Sequence, residues 1–122
     1  MLDDATVQML RRHWEEGWND GDLDTIMAPF ADEVVFSSPG IAMMTRDPSR
    51  TTIRGSAALR DYLEHALRLT TDVRYTLHAA YAGTDSIVLV YSCGIPNGTQ
   101  RDGADSMRLD GDGKVVEWRC HF

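Results

Sequence analysis

The sequence predicts a single α+β domain in which three N-terminal helices pack on one face of a curved, mostly antiparallel sheet. Two observations carry this. Apolar residues recur at helical spacing through the first half of the chain, and four strand signals follow Leu69 with no further helix between them. Size agrees: 122 residues make one domain, residues 1–122. A chain of this length buries roughly two thirds of its unfolded surface and folds without staples.

Asp3 or Asp4 can cap the first helix, which then runs to about Asn19. Val7, Leu10, Trp14 and Trp18 recur along it at steps of three and four, an apolar and aromatic stripe. Asn19-Asp20-Gly21-Asp22 stops that helix and caps a short second one from Leu23 to Phe30, which Pro29 helps to end. Glu33 to Ser37 is β-rich and stops before Pro39-Gly40. Ile41 to Thr52 has no regular period and reads as a loop holding Pro48 and Met43-Met44. Gly55-Ser56 opens the third helix to about Leu69, with Ala58, Leu59, Tyr62, Leu63, Ala66 and Leu67 facing inward. The strands that follow are roughly Val73–Ala82, Ser86–Ile95, Thr99–Leu109 and Lys114–Phe122. Gly83-Thr84-Asp85, Pro96-Asn97-Gly98 and Asp110-Gly111-Asp112-Gly113 supply the hairpin turns.

The strand through Ile87-Val88-Leu89-Val90-Tyr91 is apolar on both alternating faces. One face covers the helices. The other also favours burial, and a homodimer through the outer sheet face is the simplest way to supply it. If Val88, Val90 and Ser92 face the interior, Tyr91 and Cys93 face that interface, beside Arg119 or His121. Cys120 alternates with Trp118 and Phe122 and faces inward, so the two cysteines fall on opposite faces and no disulfide is expected.

Charge and composition exclude several functions. The formal net charge is −7, from 19 acidic against 12 basic residues, a balance that disfavours nucleic acid or an anionic membrane as partner. No apolar run approaches the about 18 residues of a membrane span, and the acidic start Met1-Leu2-Asp3-Asp4 is unlike a signal peptide, so a cytoplasmic location is the default expectation. His13, His65, His78 and His121 form no ligand-spaced set, and no metal site is expected. His13 and His65 fall beside the apolar stripes and read as surface or interface residues. Arg101-Asp102 reads as a solvated hairpin tip. No phosphate-binding glycine loop is present, so no cofactor is implied.

Four runs carry a family resemblance that spans the chain: Trp18-Asn19-Asp20-Gly21-Asp22-Leu23-Asp24; Phe30-Ala31-Asp32-Glu33-Val34-Val35-Phe36-Ser37-Ser38-Pro39; Gly55-Ser56-Ala57-Ala58-Leu59-Arg60-Asp61-Tyr62; and Asp105-Ser106-Met107-Arg108-Leu109 through Val116. In that order they resemble the nuclear-transport-factor-2-like superfamily, a cone-shaped α+β fold that includes SnoaL-like proteins, polyketide cyclases and ketosteroid isomerases. The scaffold hosts unrelated functions, so activity must be argued from residues. The ketosteroid-isomerase pattern implies a general-base aspartate where this chain has Ser38, a donor tyrosine where it has Trp14, and a protonated aspartate at Asp105. One of three is kept. A serine without a partner base has no useful basicity near neutral pH, so that route of proton abstraction is not expected here. The Ile41 to Thr52 segment is longer than in that branch and is expected to fold over the pocket mouth.

Asp105 is the candidate catalytic residue. Period-two counting puts Gly103, Asp105, Met107 and Leu109 on one strand face, and Met107 with Leu109 mark it as the core face. A carboxylate among apolar neighbours loses hydration, so its pKa should rise. The candidate substrate-binding residues are Trp14, Trp18, Phe30, Ser38, Tyr62, Met107 and Trp118, with Trp14 foremost because its indole N–H can donate. The leading expectation is a cofactor-free acid/base enzyme of isomerase, cyclase or lyase type, acting on an apolar cyclic or polyketide-like molecule. The alternative is a non-catalytic module that holds a hydrophobic ligand or partner segment in the same cone. Water addition to an epoxide, known on related folds, needs an Asp–Arg–Asp set, and Asp105 and Arg108 have opposite parity.

Overall fold

The computed structural model describes the whole chain, Met1 to Phe122. Helix α1 (Asp4–Arg12) starts where the Asp3 carboxylate accepts the Thr6 N–H at 2.8 Å. The expected single helix to Asn19 does not continue as such. It widens into a π-helical turn, His13–Trp18. This turn sets the rings of Trp14 and Trp18 in a stack, 5.2 Å apart and 21° from parallel. Helix α2 (Leu23–Met27) follows, capped by Asp22 as expected, and ends before Pro29 because Phe30 already belongs to strand β1 (Phe30–Ser37). Gly17 lets α2 cross the π turn closely: a Cβ there would lie 2.8 Å from Ile26 Cγ1.

The Ile41 to Thr52 segment is not an irregular loop. Pro39–Thr45 forms helix α3, and Thr52–Arg54 forms a short strand β2 on β1. Ser38 caps α3 by accepting the Gly40 N–H at 3.1 Å, Pro39 occupies its first turn, and Arg46 ends it in the left-handed region. Seven residues with only Ile41 buried are too few to show a helical period. Helix α4 (Ser56–Leu69) buries Leu59, Leu63 and Ala66 at steps of four and three, with Ala58 exposed instead of inward.

Strands β3 (Arg74–Ala82), β4 (Ser86–Gly94), β5 (Gln100–Leu109) and β6 (Val115–His121) form the expected meander. The six-stranded order is β2-β1-β6-β5-β4-β3, antiparallel throughout except where β1 runs parallel to β6. The helices cover one face. Leu10, Ile26, Leu59 and Leu63 pack there against Val34, Leu89, Met107 and Trp118, all shut off from solvent.

One facing is corrected. Ile87, Leu89, Tyr91 and Cys93 point inward, and Val88, Val90 and Ser92 point out. Directly paired residues of an antiparallel ladder share a face, and Ile87 pairs with Met107, Leu89 with Asp105, and Tyr91 with Gly103. Tyr91 is therefore an interior residue. Cys93 and Cys120 both reach the interior, as free thiols. His13 is also corrected, being completely buried, whereas His65 and His121 are exposed. No helix is long and apolar enough to cross a membrane.

Candidate functional site

Between the π turn, α3, α4 and the concave sheet face lies a cavity of about 160 Å³ with mainly apolar walls. Trp14 and Trp18 come from the π turn, Tyr62 from α4, and Phe36, Tyr75, Tyr91 and Trp118 from the sheet. Gly40 and Met44 of α3 also line it.

Asp105 is fully buried on β5, one side chain behind this lining. Its Oδ1 accepts the Tyr91 hydroxyl at 3.1 Å, and its Oδ2 accepts the Trp118 Nε1–H at 2.9 Å. No cation pairs with it; the chain's ion pairs all lie elsewhere. Burial pushes its pKa up to about 7, although the donors Trp118, Cys120 and Tyr91 each favour the ionised form. The Tyr91 phenol moves far upward, first through burial and then through the charge of Asp105. It stays neutral. Cys120, directly paired with Asp105 across β5 and β6, is also held as a thiol by burial and by the same carboxylate.

Gly103 makes this arrangement possible. A Cβ at that position would sit 2.8 Å from Cζ and from the hydroxyl of Tyr91, so the phenol can cross β5 toward Asp105 only because the residue beneath it has no side chain. Trp14 lies over the other face of Tyr91, at 4.5 Å between ring centroids. Its indole Nε1–H is buried and bonded to nothing. That is costly unless an occupant of the cavity accepts it.

A second polar chain fixes the π turn. His13 Nδ1 donates to the Ile26 carbonyl at 2.8 Å, which leaves Nε2 to accept the Trp18 Nε1–H at 3.0 Å. Burial lowers the His13 pKa to about 4, against a raising effect of the Ile26 contact, so the ring is neutral. Asn19 then clasps the edge strand, donating to the Tyr75 carbonyl at 2.9 Å and accepting the Tyr75 N–H at 2.8 Å. Both clasps position aromatic walls.

Of the sequence-derived candidates, Trp14, Trp18, Ser38, Tyr62 and Trp118 line the cavity. Phe30 and Met107 do not. Phe30 stacks behind Trp118 at 5.0 Å, and Met107 is sealed in the core. Ser38 is present at the wall, with its oxygen serving the α3 cap. Tyr91, Gly103, Tyr75, Cys93 and Arg101 were missed as site residues. The signal for Gly103 and Arg101 was available, since both share the parity of Asp105 on one strand. Arg108 is exposed on the other parity, as expected. No group of three or more His, Cys, Asp or Glu side chains is placed to hold a metal ion.

Helices folded over a curved six-stranded sheet, with a pocket between them, define a nuclear-transport-factor-2-like protein. The family model described as a SnoaL-like domain matches residues 10–118, and the chain belongs to that family. A SnoaL-like protein of unknown function from Burkholderia thailandensis E264 is 30% identical, with a TM-score of 0.82 over 99% of this chain and 98% of that one. An NTF2-like protein of unknown function from Cytophaga hutchinsonii shares 13% identity and a TM-score of 0.72, covering 99% of this chain and 92% of its own. TerC, co-crystallised with polyporic acid, shares 19% identity and a TM-score of 0.75, covering 96% and 90%. None of the curated proteins matches the sequence.

Proposed function

We propose that this chain binds a small cyclic or polyketide-like molecule and performs cofactor-free proton transfer on it, with Asp105 as the acid/base group. The observation that carries the reading is a buried carboxyl with no cation partner, held near pKa 7 and joined to the cavity through the Tyr91 hydroxyl. A group poised near neutral pH both gives and takes a proton efficiently. Asp105 does not touch the cavity, so Tyr91 carries the proton. The phenol takes a proton from the ligand on one side while releasing its own to Oδ1 on the other, and it remains neutral throughout. Trp14 Nε1–H is the donor for an oxygen of the ligand, and Trp18, Tyr62 and Trp118 hold the ring. The co-crystallisation of TerC with polyporic acid supports a small-molecule occupant for this fold.

The test is deuterium uptake from D₂O into a cyclic ketone such as 2-tetralone, followed by NMR. Saturable exchange is expected, slowed by roughly 10²-fold in Asp105→Asn and in Tyr91→Phe. Equal exchange in wild type and both variants overturns the catalytic reading. One observation favours a second reading, a binding module without chemistry. Ser38 stands where related enzymes keep a base, and its oxygen is engaged in capping α3. Binding of the ketone with no exchange selects that reading.

A further inference from the structure

The inward face of β5 presents, in order, Arg101, Gly103 and Asp105. The first and last are four steps apart, a span of roughly 13 Å along a strand. Asp105 lies behind the wall, the Tyr91 ring crosses Gly103, and the exposed Arg101 lines the cavity at its solvent side. Arg101 is the single cationic residue of the cavity lining. The five ion pairs of the chain use Arg11, Arg12, Arg60, Arg68 and Arg119, and Arg101 is in none of them. Its guanidinium instead lies over the Phe122 ring, 4.8 Å from the centroid, so the rim aromatic holds the charge beside the opening. The charge is felt inside. Burial raises the Tyr75 phenol most strongly, and Arg101 is the one group that pulls it the other way. Asp102 also reaches the rim, on the opposite strand parity.

We infer that the pocket selects ring compounds bearing an anionic group, the flat body against the aromatic walls and the carboxylate or enolate at Arg101. This rests on the small-molecule reading above and narrows its ligand class. A net charge of −7 repels anions from the protein as a whole, so affinity for an acidic ligand needs a local cation at the opening. A planar guanidinium matches a carboxylate with two parallel donors. The polar ends of such a ligand, its acid and an oxygen for Trp14, leave only apolar surface to meet the walls.

The experiment is calorimetric titration at pH 8 and low salt with 2-naphthoate and its neutral analogue 2-naphthalenemethanol. Wild type is expected to bind the acid about tenfold more tightly, a preference that 0.5 M salt reduces. Arg101→Gln is expected to remove the preference and leave the alcohol's affinity unchanged. Arg101 is exposed, so this variant folds as wild type does. Equal affinity for the two probes in wild type, or a preference that survives Arg101→Gln, overturns the inference while leaving the pocket reading intact. Binding of neither probe overturns both.

Discussion

Asp105 and His13 are the two buried titratable groups whose charge states oppose each other in the stability of the fold. Asp105 has a folded pKa of about 7, above the roughly 3.9 of an unfolded aspartate. Below the unfolded value both states are protonated and nothing is lost. As pH rises toward 7 the unfolded chain releases its proton first, so stability falls, by on the order of 4 kcal/mol once both values are passed. His13, lowered to about 4, works in the other direction: stability falls as pH drops from about 6.5 toward 4. Wild-type stability is therefore expected to be flat across this window in urea titrations. Asp105→Asn should be the more stable protein at pH 7.5 and should lose stability on acidification. If Asp105→Asn is instead destabilised most at neutral pH, the carboxylate is a structural anion. Gly103→Ala is expected to cost about 1–3 kcal/mol by overpacking against Tyr91. In a double-mutant cycle Tyr91→Leu should absorb most of that cost, and additive losses would contradict the contact. The burial of Asp105 was legible from alternation with Met107 and Leu109. The side of Tyr91 was not, because Val88 and Val90 are as apolar as Ile87 and Leu89, and only pairing with β5 decides between them.

At the scale of elements, capping and clasping side chains hold the pocket walls in place. Asn19 makes two hydrogen bonds to the backbone of Tyr75, 56 residues away, and so ties the end of the π turn to the edge strand β3. Asn19→Ala leaves both Tyr75 groups unpaired in a half-buried place. It is expected to cost about 1–3 kcal/mol, read as a lowered urea midpoint. Ser38→Ala removes the cap of α3 and should cost about 1 kcal/mol. A Ser38→Ala change without effect on stability would contradict the capping role. Helix α4 was readable because its fourteen residues repeat the apolar stripe almost four times. Helix α3 was not. Its evidence is the Ser38-Pro39 start, a capping signal without periodicity. The π turn was hidden for a different reason: Trp14 and Trp18 satisfy the spacing of an ordinary helix, and the widening shows only in the backbone.

For the molecule as a whole, the meander followed from alternation and turn residues, and the parallel contact of β1 with β6 joins the N-terminal strands to it. The outer sheet face carries Val88, 37% exposed, with Val90, Arg119 and His121 beside it, and Tyr91 no longer belongs to it. We propose that two copies of the chain pair through this face. Light scattering at micromolar concentration should give twice the 13.7 kDa chain mass, and Val88→Arg should give the monomer. A wild-type monomer would set the dimer aside without touching the pocket. An uncharged surrounding is expected to keep Asp105 a proton-exchanging carboxyl beneath the pocket. The ¹³C NMR titration of that carboxyl, assigned by comparison with Asp105→Asn, measures this directly. Burial without a cation gives a midpoint near 7; a midpoint at or below the roughly 3.9 of a free aspartate would contradict it.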